Sequence, residues 1–80
     1  MPLFLLQHHH DPEDCAPAFA AWHGFASPLR RYPAPSTGLA GGHELWWRVE
    51  APHTASALEL LPPFVARRTV AVAVREVVIP

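Results

Sequence analysis

Apolar positions fall along this chain in short alternating runs, separated by proline- and glycine-rich breaks and by two stretches with helical spacing. Residues 3–9 predict a strand. Its start is apolar on both faces, Leu3 and Leu5 on one and Phe4 and Leu6 on the other, as in a strand covered on both sides. Asp11-Pro12-Glu13-Asp14 predicts a helix start, with Asp11 as the cap, Pro12 at the first helical position and two acids at the positive end. This helix is expected to run to about Gly24, with Phe19 and Trp22 turned inward and Pro17 kinking or shortening its first turns. Residues 27–36 hold three prolines and two arginines and read as loop. Residues 37–40 predict a short second strand, and Gly41-Gly42 a hairpin turn. Residues 43–50 predict a third strand, with Leu45, Trp47 and Val49 on one face and Trp46, Arg48 and Glu50 on the other. Thr54 is expected to cap a second helix over residues 55–61, which Pro62-Pro63 ends, and Pro63 can start one more turn. Residues 70–79 predict the last strand.

The predicted order is β-α-β-β-α-β, which implies an α+β fold of ferredoxin-like type in one domain over residues 1–80. Four antiparallel strands would form the sheet, with the first and third in the centre and both helices on one face. The opposite face carries Trp46, alanines and half of the first strand. It is too apolar to stay wet, so a second copy is expected to pack on it. The Gly41-Gly42-His43-Glu44-Leu45-Trp46-Trp47-Arg48-Val49-Glu50-Ala51 segment and the Ala57-Leu58-Glu59-Leu60-Leu61 helix resemble small members of the dimeric α/β-barrel superfamily. The resemblance implies that fold and a homodimer. Relatives there include cofactor-independent monooxygenases, muconolactone isomerases and haem-handling enzymes, and no catalytic motif of theirs stands in this chain.

Composition narrows the partners. Half of the 80 residues are apolar and only 16% are charged, which fits disorder poorly and again suggests a subunit interface. A net charge of −1 provides no basic field for nucleic acid. All 6 cationic residues are Arg, so Schiff-base lysine chemistry is excluded. A single cysteine, Cys15, allows no internal disulfide and suits a reducing cytoplasm. The opening apolar run is too short for a membrane span or a signal segment.

The most unusual local feature is His8-His9-His10. Strand alternation puts His8 and His10 on one face, about 6.5–7 Å apart. The antiparallel neighbour brings His43 and Glu44 beside them. Three histidines, or two with a carboxylate, form the ligand set of a zinc or non-haem iron site. Three readings therefore stand together. In the first, a homodimer binds a small molecule without a cofactor, with an isomerase- or monooxygenase-like enzyme as one form of this reading. His8, His10 or His43 would handle a proton, while Trp46 and Arg48 shape the pocket and hold a carboxylate. In the second, His8, His10, His43 and Glu44 hold a metal. In the third, the chain is an interaction module whose polar end is plain surface, and Arg48 is paired with Glu50 or Glu76. Cys15 is weighed as a nucleophile. A helix start would lower its pKa, Glu13 and Asp14 oppose that, and no Cys-His-Asn pattern supports it.

Overall fold

A computed structural model describes all of residues 1–80. Its centre is a three-stranded antiparallel sheet of β1 (Leu3–His9), β2 (Glu44–Glu50) and β3 (Thr69–Val74), in the order β2-β1-β3. The expected four-stranded sheet does not form. Residues 37–40 make a 3₁₀ turn, Gly38–Ala40, instead of a strand, and Gly41 follows it with φ +81°. The outer edge of β2 carries one antiparallel bridge, between Leu45 and Ser36, a residue expected in the preceding loop. Nor does the chain carry two full helices. A 3₁₀ turn at Pro12–Asp14 leads into α1 (Cys15–Ala20), which is followed only by turns at α2 (Thr54–Leu58) and α3 (Pro63–Ala66).

The local causes are visible. Pro17 lacks an amide hydrogen, so the chain cannot hold a regular α-helix from Asp11 onward, and a 3₁₀ turn fills the gap. Left-handed Gly24 closes the turn after α1. The short α1 turns Ala18 inward, half-buries Trp22 and leaves Phe19 64% exposed. The cap of α2 is His53 and not Thr54. Its Nδ1 accepts from the Ser56 amide at 3.2 Å, and the Ser56 hydroxyl closes the capping box. Pro63 opens α3 at a position where no amide hydrogen is needed. The last strand stops at Val74 because its partner β1 begins at Leu3, so residues 75–80 have no strand to pair with.

The ladders fix which side chains share a face. Phe4 lies opposite Val49 and Ala73, and Leu6 opposite Trp47 and Ala71. Phe4, Leu6, Trp47 and Val49 join Leu29, Ala57, Leu61 and Val65 in the buried core under the helical segments, with Ala71 packed against it. The other face carries Leu3, Leu5, Trp46, Val70, Val72 and Val74, and no element of the chain covers it. Val70 is 62% exposed there. No helix is long and apolar enough to cross a membrane.

Candidate functional site

The covered face ends in imidazoles. Alternation along β1 continues the inward series Phe4, Leu6 and His8 to His10, and along β2 the series Val49, Trp47 and Leu45 to His43. His10 and His43 therefore face each other one step beyond the end of the β1–β2 ladder. The His10 amide donates to the His43 carbonyl at 3.2 Å, and the two rings lie 5.2 Å apart. His8 and His10 are 2% and 5% exposed, which is unusual burial for imidazoles.

The turn at Asp11–Asp14 then folds the chain back on itself. The Asp14 amide donates to the Asp11 carbonyl at 2.9 Å, and Cys15, a free thiol, returns to His10. One donor atom from each of His10, Cys15 and His43 lies within 4.8 Å of the other two. A cavity of about 250 Å³ opens beside them, walled by Phe19, Ser36, Gly42, Glu44 and Leu45. The 37–44 loop that forms this wall is tightly tied. The Thr37 amide donates to Glu44, the Gly42 amide to Thr37, and the Glu44 amide to the Thr37 hydroxyl.

Behind the cavity, hydrogen bonds link the buried imidazoles to the backbone. His10 Nδ1 and His8 Nε2 are 2.8 Å apart, and His8 Nδ1 is 3.0 Å from the Thr69 hydroxyl. That hydroxyl donates to the Val65 carbonyl at 2.7 Å. One atom is left out: His10 Nε2 is buried and has no partner. Both imidazoles titrate below the usual range. Burial is the main cause for each. The charge of His10 adds to it at His8, and that of His43 at His10, where Asp14 works in the opposite direction. Both rings are therefore held neutral, the form that ligates metals.

The predicted site residues thus divide into two groups. His10 and His43 come together, and Cys15 joins them in place of His8 and Glu44. His8 shares the face as expected, but its two ring nitrogens are taken by Thr69 and His10. Glu44 is exposed on the cavity rim. Trp46 and Arg48 lie on the opposite face of the sheet, where Arg48 pairs with Glu76. They do not meet the histidines. Cys15 was legible only as a possible nucleophile. The missed signal is His10-x₄-Cys15 across a tight Asp-Pro turn, which returns the thiol to the strand end. Compared with known proteins, the chain matches no family model, no curated protein and no solved structure.

Proposed function

We propose that this protein binds a transition metal of the zinc class through His10, Cys15 and His43. The observation that carries the reading is the partnerless, buried Nε2 of His10, in a residue whose ring offers a donor atom close to those of Cys15 and His43. A buried polar atom without a partner costs roughly 1–3 kcal/mol, and a bound metal ion would remove that cost. The donor set selects the metal. Two imidazoles and a thiolate suit zinc, cobalt or copper, and suit magnesium or calcium poorly. Tetrahedral zinc, with Zn–N at about 2.0–2.1 Å and Zn–S at about 2.3 Å, needs donors about 3.4–3.7 Å apart. The present spacing of up to 4.8 Å therefore closes by about 1 Å on binding, within reach of side-chain rotation.

Three protein ligands leave one tetrahedral position free, the pattern of sites that take up water or an external ligand. The cavity of about 250 Å³ gives that position room. A small molecule bound there would unite the metal reading with the small-molecule reading. The homodimer is proposed on a separate observation: the apolar face of Leu3, Leu5, Trp46 and Val72 has no cover within the chain.

Cobalt(II) titration of untagged protein tests the metal site. We expect one equivalent per chain, intense visible bands of tetrahedral cobalt, and a thiolate charge-transfer band that Cys15→Ser abolishes. Binding that is absent, or that Cys15→Ser and His43→Ala leave unchanged, refutes the site. Free metal at 100 times Kd would add about 2.7 kcal/mol. In a domain of this size that raises Tm by roughly 10–20 °C.

A further inference from the structure

We infer that Thr69 and His8 are positioning residues that set the tautomer of His10, so that its Nε2 presents a lone pair to the metal. The inference rests on His10 being a ligand, as proposed above, and follows from the direction of three successive contacts. A carbonyl only accepts, so the single hydroxyl hydrogen of Thr69 is spent on Val65. Toward His8 the hydroxyl oxygen can then only accept, and His8 Nδ1 must carry the hydrogen. Neutral His8 is left with a lone pair on Nε2. The 2.8 Å contact with His10 then requires the hydrogen on His10 Nδ1. Neutral His10 therefore has its lone pair on Nε2, the buried atom with no partner.

Each step is forced by the one before, beginning at a backbone carbonyl that cannot reverse. The opposite order would keep a hydrogen bond between the rings but set the lone pair of His8 Nδ1 against that of the Thr69 hydroxyl. A metal-ligating imidazole usually donates its other ring nitrogen to a backing acceptor. Here the acceptor is a second imidazole, itself anchored through Thr69 to the turn of α3. This assigns a purpose to the burial of His8, whose two nitrogens are both occupied and which is not itself a ligand.

The test removes the anchor and keeps the shape. In Thr69→Val, His8 Nδ1 faces a methyl group and loses the hydroxyl that accepted its hydrogen. His8 can then donate from Nε2 to His10 Nδ1, which moves the hydrogen of His10 onto Nε2, the ligating atom. Metal binding must then displace that hydrogen. Long-range ¹H–¹⁵N spectra of the metal-free protein read the tautomer directly. We expect Nδ1–H on His10 in the wild type and in Thr69→Ser, and Nε2–H in Thr69→Val. We expect the cobalt(II) Kd of Thr69→Val to weaken by about 10- to 100-fold, with the visible bands at saturation unchanged in shape, and Thr69→Ser to restore tight binding.

A wild-type His10 carrying its hydrogen on Nε2 overturns the inference without any variant, so a Thr69→Val chain that fails to fold does not shield it. An unchanged tautomer and Kd in folded Thr69→Val also overturns it, and leaves the metal site standing if Cys15→Ser still abolishes binding. Cobalt binding indifferent to Cys15→Ser removes the metal reading instead, and the tautomer spectra separate the two failures.

Discussion

Adjacent leucines on β1 offer a direct measure of how one-sided the sheet is. Leu6 is fully buried between Trp47 and Ala71 on the covered face, whereas Leu5 is half-buried between Arg48 and Val72 on the open one. Leu6→Ala removes three carbons from a close-packed site and leaves a cavity, and such changes cost about 3–5 kcal/mol. A chain of 80 residues has roughly 4–12 kcal/mol of stability in total. The substitution therefore removes a quarter of it or more, and lowers Tm by roughly 12–40 °C. Leu5→Ala removes the same carbons from a face that no element covers. At about 0.8 kcal/mol per buried methylene, and with half of the group already wet, its cost within one chain is about 1 kcal/mol. Urea unfolding followed by tryptophan fluorescence reads both, because buried Trp47 lies 6.1 Å from Trp22 and reports on the core. The dimer adds a second axis. If a second copy covers the open face, the cost of Leu5→Ala grows with protein concentration, while that of Leu6→Ala within the chain does not. Equal costs at every concentration would refute the register, because a slip of one residue exchanges the two faces.

Acid should destabilise the metal-free protein. His8 and His10 titrate below the ordinary value of 6.5, so the unfolded chain binds more protons between the two values. Their contribution is complete above that value and is lost as pH falls through it towards the lower folded values. Arg68, His9 and His43 oppose protonation of the pair, while Asp14 favours it at His10 and the Val65 backbone favours it at His8. Urea midpoints measured with a chelator should fall on going from about pH 7.5 to about pH 5, and a flat profile would contradict the neutral pair. Gly42→Ala should loosen the cavity wall, since a Cβ there would sit 2.2 Å from the Thr37 hydroxyl and 2.7 Å from its Cβ. We expect a loss of about 1–3 kcal/mol, read by thermal unfolding, together with weaker cobalt binding. Unchanged stability would mean that the Thr37 loop is not fixed as described.

The strands were the legible part of the fold, because burial imposes a period of two that no other element shares. Residues 3–9 form β1 as expected, and residues 44–50 of the expected 43–50 form β2. Alternation from Val70 to Ile79 predicts a strand that continues five residues past the end of β3 at Val74, since periodicity says nothing of where a partner ends. Residues 37–40, ahead of Gly41-Gly42, predict a second strand, but Gly38–Ala40 form a 3₁₀ turn. Thr37 spends its hydroxyl and its backbone on the 37–44 loop, and the pairing with β2 shrinks to the Ser36–Leu45 bridge and the Pro35 and Thr37 hydrogen bonds that flank it. Helix lengths failed for a related reason. A cap and an apolar face suggest a helix, but Pro17 and Pro62-Pro63 leave room only for α1 and isolated turns.

The site was half legible, and the missing half shows what spacing alone overlooks. Alternation correctly put His8 and His10 on one face, and antiparallel pairing put His43 beside them. Two imidazoles at such spacing can converge on a metal or hydrogen-bond to each other. The outcome depends on what else reaches their nitrogens. Thr69, four residues beyond Val65 at the start of β3, decides it here by engaging His8 from behind. Once His8 is committed, the outward donor count falls to His10 and His43, and the third must come from a segment with no strand register. The Asp-Pro turn supplies it by returning Cys15 to the strand end. A turn that breaks the helix early, and so shortens α1, is thereby also the feature that completes a three-donor set. Lengthening α1 by Pro17→Ala should show this coupling. It restores an amide hydrogen and favours helix there by up to about 3 kcal/mol, yet any regular helix that grows back through residues 12–14 redirects Cys15. We expect more helix by far-ultraviolet circular dichroism together with weaker cobalt binding. Tighter or equal binding at higher helix content would show that the thiol's place does not depend on the broken turn.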